Sequence, residues 1–154
     1  MNAGAYDWEF SDLVQYIECF DLNTSNIIKL NKDDINFSYR SSQNLDNKII
    51  LSATLQIEKG DIHKINSNLA NFNKIRKNSQ PPAIYNAGSV FKNTKDYTAG
   101  KLIDEAGLKG YEIDGVSVSE KHANFFIAKK EAKSLALYKL CLLYTSDAAD
   151  EGLG

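Results

Sequence analysis

Near residue 58 the chain changes its hydrophobic period, and that change limits its fold more than any other feature. Before it the residues are strand-like. "DLVQYIECFD" (Asp12 to Asp21) is rich in β-branched and aromatic residues and predicts a strand. "NTSN" (Asn23 to Asn26) is turn chemistry, and "IIKL" then predicts the returning arm of a hairpin. "NKDD" (Asn31 to Asp34) predicts a capped single turn of helix before "INFSYR". "KIILSATLQI" (Lys48 to Ile57) is long and apolar enough to predict a strand buried on both faces. Past Glu58, Ile62, Ile65, Leu69, Phe72 and Ile75 recur at helical spacing behind Asp61, a candidate cap. The Pro81-Pro82 pair ends that helix. "AGKLIDEAG" (Ala99 to Gly107) predicts a short amphipathic helix stopped by Gly107. "YEIDGVSVS" and "NFFIA" predict strands, and "KKEAKSLALYKL" (Lys129 to Leu140) opens a last helix. A β-rich first part followed by alternating helix and strand predicts an α+β fold, with a domain boundary near Glu58 to Gly60.

Composition narrows the function classes. Of 154 residues, 43% are hydrophobic and 25% charged, which argues against disorder. A net charge of −2 gives no electrostatic reason to expect nucleic acid or an anionic membrane as partner. No apolar run approaches the roughly 20 residues of a membrane span, and the start lacks a signal-peptide layout. Cys19 and Cys141 lie far apart without metal spacing, which favours a reduced, cytoplasmic setting. His63 and His122 form no ligand pair, so no metal is expected.

Both ends read as cut. Met1 opens directly onto "NAGAY", a tight loop entering a strand. At the other end the helical pattern is expected to stop after Leu140, and "CLLYTSDAADE" (Cys141 to Glu151) resembles an in-frame translation of a sequencing-library adapter. Residues 141–154 are therefore read as non-native and set aside.

"NAGSVFKN" (Asn86 to Asn93) places one hydroxyl, Ser89, between a flexible step and an apolar pair. The plainer reading is a strand-entry turn, with Gly88 supplying an unusual backbone angle. The sharper one is that Ser89 is held there to hand over a proton.

Four phrases fall in order: "NAGAY" (Asn2 to Tyr6), "FSYR" (Phe37 to Arg40), "NAGSVFKN", and "AGKLIDEAGLKG" followed by "VSEKHANF". In this order and at these separations they resemble the UDP-N-acetylenolpyruvoylglucosamine reductases, flavoenzymes of peptidoglycan precursor synthesis. The likeness runs from Asn2 to about Leu140 and is densest from Gln80 to Phe126. It implies residues 1–59 as part of an FAD-binding subdomain and residues 60–140 as an incomplete α+β substrate-binding domain. It implies FAD and NADPH as cofactors and a UDP-sugar as the small-molecule substrate. Hydride reaches the vinyl carbon of an enolpyruvyl group from the flavin, and a serine protonates the neighbouring carbon.

The resemblance places Ser89 as that proton donor and Arg40 beside the substrate carboxylate, where a planar guanidinium suits the charge that develops. The two groups are expected to converge on one pocket. Substrate contacts fall to Asn93 by motif, to Lys77 by spacing, to Gln80 in the "QP" before the serine loop, and to Tyr39. Lys74, Arg76 and Lys77 read equally well as the solvated face of their helix. Ala3, Gly4 and Ala5 match a loop passing close to the flavin, where small side chains let backbone amides approach. His122 reads as framework.

The sequence departs from the family in places. Asp7 and Trp8 follow Tyr6 where a further glycine is usual, and Thr94 replaces a proline. The short link from Ile57 to Asp61 matches the compact subtype. The main flavin-holding glycine segments and a catalytic glutamate fall outside these residues, so the chain alone is expected to be inactive. A uridine-nucleotide-binding module, or part of another FAD-dependent oxidoreductase, are the alternatives.

Overall fold

A computed structural model describes the backbone of residues 2–152 and the side chains of residues 2–144. The chain divides into two units, Met1–Asp61 and Ile62–Gly154.

The first unit opens on a hairpin of two short strands, β1 (Gly4–Ala5) and β2 (Trp8–Glu9). Tyr6 and Asp7 join them with φ of 55° and 66°, the paired left-handed geometry that matches hairpin twist. Asp7 thus adopts an angle that glycine takes at less cost. One helical turn, α1 (Phe10–Leu13), follows, and the Asp12 carboxylate accepts the Glu9 amide at 2.7 Å. β3 (Val14–Asp21) is the central strand of an antiparallel sheet, between β4 (Asn26–Asn31) and β7 (Lys48–Leu55). Asp21 closes the turn after β3 by accepting the Asn23 amide at 2.8 Å. A 3₁₀ turn (Lys32–Asp34) and the hairpin of β5 (Phe37–Ser38) and β6 (Ser41–Ser42) complete the unit. Val14, Ile17 and Ile35 form its small core.

Two expectations for this unit need correction. The strand predicted from Asp12 begins at Val14, because Glu9 and Asp12 form a reciprocal cap around the preceding turn. β7 is not buried on both faces. Among the described strands it pairs with β3 alone, and Ile49, Ile50 and Leu51 are all more than half exposed. An apolar run specifies a strand but does not by itself supply layers to cover it.

The second unit begins with α2 (Ile62–Ser79). Its apolar stripe is present but exposed, and no residue of the helix is buried. α3 (Ala99–Glu105) ends before Gly107, whose φ is +69°. β8 (Glu112–Ile113), β9 (Val116–Val118) and β10 (Phe126–Ala128) form an antiparallel sheet in the order β10-β9-β8. Asp114 and Gly115, both at positive φ, make the two-residue turn from β8 to β9.

The last helix, α4 (Ser134–Gly152), runs on through Leu140, where the helical pattern was expected to stop. Ala136 and Leu140 are buried with Ile103, Val116, Val118, Ala123 and Phe126. Leu143 and Tyr144 continue the same stripe against that core. The side chains of the remaining tail lie outside the described residues. Among the described residues no helix is long and apolar enough to cross a membrane, and no group of three His, Cys, Asp or Glu residues could hold a metal ion.

Candidate functional site

The Asn86–Asn93 stretch becomes a fixed edge of the second unit through local and long-range hydrogen bonds. The Asn86 side chain donates to the Pro82 carbonyl at 2.6 Å and accepts the Gly88 amide at 3.1 Å. Gly88 has φ +86°, and a Cβ there would meet nothing within 4 Å, so the backbone angle rather than lack of space calls for glycine. Ser89 then forms a single antiparallel bridge with Phe125, just before β10.

Residue 124 holds the two residues after Ser89. Its carbonyl accepts the Val90 amide at 2.9 Å. Its side-chain Oδ1 accepts the Phe91 amide, and its Nδ2 donates to the Phe91 carbonyl, both at 2.9 Å. Val90 and Phe91 turn into the core, while Ser89 stays exposed. Asn93 Oδ1 accepts the Ala99 amide at 3.1 Å, satisfying a donor at the start of α3.

Ser89 and Asn93 line one open groove of about 400 Å³, with Lys101, Lys109, Lys121 and His122 among its other residues. Its ammonium groups are anchored locally. Lys109 meets Asp104 at 2.6 Å, Lys101 meets Glu105 at 3.6 Å, and Lys121 donates to the Lys77 carbonyl at 3.1 Å. His122 packs against Phe125 with ring centroids 4.8 Å apart, and its Nδ1 accepts the Asn124 amide at 3.3 Å. Such a groove suits an anionic, hydrogen-bonding ligand better than an apolar one.

The other candidate residues sit elsewhere. Lys77 lies in the last turn of α2, and the Gln80 amide donates to the Arg76 carbonyl at 2.8 Å as that helix ends. Neither lines the groove; the backbone carbonyl of Lys77 accepts from Lys121, a residue that does. Tyr39 and Arg40 form the turn between β5 and β6 in the first unit, Arg40 with φ 50°. Ala3, Gly4 and Ala5 are exposed on the β1–β2 hairpin. Small exposed residues there fit close approach by a flat cofactor to the backbone. Asn124 lies inside the phrase "VSEKHANF", and Lys101 and Lys109 inside "AGKLIDEAGLKG", but sequence reasoning gave none of the three a role.

Fold and groove together define a two-unit α+β protein with a polar, lysine-edged cleft beside an exposed serine. Residues 80–148 match the family described as UDP-N-acetylenolpyruvoylglucosamine reductase, C-terminal domain. Residues 80–148 belong to that domain family. It is 44% identical over 128 residues to the UDP-N-acetylenolpyruvoylglucosamine reductase of Caldanaerobacter subterraneus, covering 82% of this chain and 42% of that protein. It is 40% identical to the one from Fervidobacterium nodosum, covering 98% of this chain and 49% of that protein. The crystal structure of the Thermus caldophilus reductase superposes with a TM-score of 0.86 at 27% identity, covering 95% of this chain and 53% of that one. The chain therefore spans less than half the length of these two curated relatives.

Proposed function

We propose that these residues serve a flavin-dependent reductase that converts UDP-N-acetylenolpyruvoylglucosamine to UDP-N-acetylmuramate with NADPH. In this reading residues 1–59 contribute to the FAD-binding part, with Ala3, Gly4 and Ala5 beside the flavin, and residues 60–140 belong to the substrate domain. Residues 141–154 are read as adapter-derived. FAD, when bound, supplies hydride to the vinyl carbon, and NADPH renews it. Ser89 gives its hydroxyl proton to the neighbouring carbon and is reprotonated from water. Arg40 faces the substrate carboxylate, whose charge grows as hydride arrives; a bidentate guanidinium strengthens its hold as that happens. Asn93, Lys77, Gln80 and Tyr39 hold the diphosphate and uridine.

The observation that carries this reading is the presence of Ser89 and Asn93 on one groove with three lysines near its rim. A serine hydroxyl is a weak acid, so its value as a donor depends on fixed geometry within about 3 Å of the carbon.

Extending the reading frame in both directions and assaying the product tests it. NADPH oxidation that depends on the enolpyruvyl substrate supports the reading. A frame without a glycine-rich flavin segment or a downstream glutamate overturns it, leaving a uridine-nucleotide-binding module. The 154-residue chain is expected to purify colourless, without a flavin absorbance band.

A further inference from the structure

We propose that Asn124 is the positioning residue for the Ser89 hydroxyl, an inference that rests on the reading of Ser89 as proton donor. Ser89 is exposed, and the region its hydroxyl can reach is set first by the backbone that carries it. That backbone is held on either side. On the near side, Gly88 sits at a φ of +86° and bonds to Asn86 two residues earlier, so that side is set by a local turn. On the far side, both residues after Ser89 are tied to residue 124: Val90 through a backbone bond, Phe91 through both functional groups of the Asn124 side chain.

The chemistry suits asparagine there. Phe91 presents one donor and one acceptor to the same side chain, and the short primary amide answers them with two separate atoms, Oδ1 and Nδ2. Aspartate keeps the acceptor for the Phe91 amide but sets a negative oxygen against the Phe91 carbonyl. Alanine leaves both groups unpaired in a place where residue 124 is 3% exposed. Asn124, though buried, also borders the groove that Ser89 lines, so the anchor and the hydroxyl it governs belong to one wall. His122 extends the arrangement, since its Nδ1 accepts the Asn124 amide and its ring lines the same groove. A donor that must act within a narrow distance needs such support behind it.

The first test uses the 154-residue chain. Hydrogen exchange followed by NMR should show the Phe91 amide accelerated at least about tenfold in Asn124→Ala, with a smaller change in Asn124→Asp. The amides of Val116 and Val118 in the adjoining strand should stay protected. Unchanged exchange at Phe91 would overturn the proposal, and so would loss of protection throughout the unit, which would make Asn124 a folding residue.

The second test uses the extended reductase. Asn124→Asp and Asn124→Ala should slow turnover of the enolpyruvyl substrate about 10- to 100-fold, with KM shifted far less and flavin reduction by NADPH unchanged. Ser89→Ala/Asn124→Ala should be no slower than Ser89→Ala alone, because one residue acts through the other. If Ser89→Ala blocks turnover but the Asn124 variants do not, or if the two losses add, the positioning role fails while the proton-donor reading survives. Full turnover in Ser89→Ala would remove both together.

Discussion

A Cβ on Gly100 would stand 3.2 Å from Cε1 of His122 and 3.6 Å from Cβ of Asn124. The glycine in "AGK" therefore allows α3 to lie against the histidine that lines the groove. Gly100→Ala should gain helix propensity of about 1 kcal/mol but push the ring off the Asn124 amide, for a net loss of about 1 kcal/mol. Thermal unfolding of the chain should register this as a fall of several degrees, and the same change made in His122→Ala should cost nothing further. An equal loss in both backgrounds would mean that the close approach is not what the glycine serves.

Ser89→Ala in the extended reductase should leave flavin reduction by NADPH nearly intact and block turnover of the enolpyruvyl substrate. Stopped-flow absorbance separates the two half-reactions. Equal loss of both would make Ser89 a folding residue.

Arg40→Lys keeps the charge and discards the planar fork. Turnover should fall by roughly a factor of ten or more, corresponding to at least about 1.4 kcal/mol of lost transition-state stabilisation. Unchanged kcat/KM in that variant would remove Arg40 from the mechanism.

Partial burial raises the Cys141 thiol above its ordinary 9.0 and the Tyr144 phenol above its ordinary 10.0. Both groups are held neutral by the fold, so their contribution is fully present below those ordinary values. It is lost as pH rises through the raised folded values. Thermal stability of the second unit should hold from pH 7 to about 9 and decline above it, and Cys141→Ala should flatten the first part of that decline. A flat profile to pH 11 would contradict the packing of this end of α4.

Much of the secondary structure was legible because its signals are local. Turn chemistry at Asn23 to Asn26, the reciprocal cap from Asn31 to Asp34 and the helical stop at Gly107 each lie within a few residues. What the sequence hid depends on neighbours far along the chain. The apolar character of Ile49 to Leu51 says strand, but only the sheet order reveals that, among the described strands, β7 has a single partner. Asn124 reaches Phe91 across 33 residues of chain, and no period or motif encodes a side chain satisfying a distant backbone. Ser89 and Asn93 could be singled out because they share a short motif with recognisable turn residues.

The one-sided pairing of β7 bears on how the molecule behaves at high concentration. Among the described strands its outer flank is paired with none and carries aliphatic side chains, an edge on which another copy can add a strand. Samples of the 154-residue chain should therefore associate through the first unit long before the second unit melts, and solubility rather than folding will set the ceiling for work on this length of polypeptide.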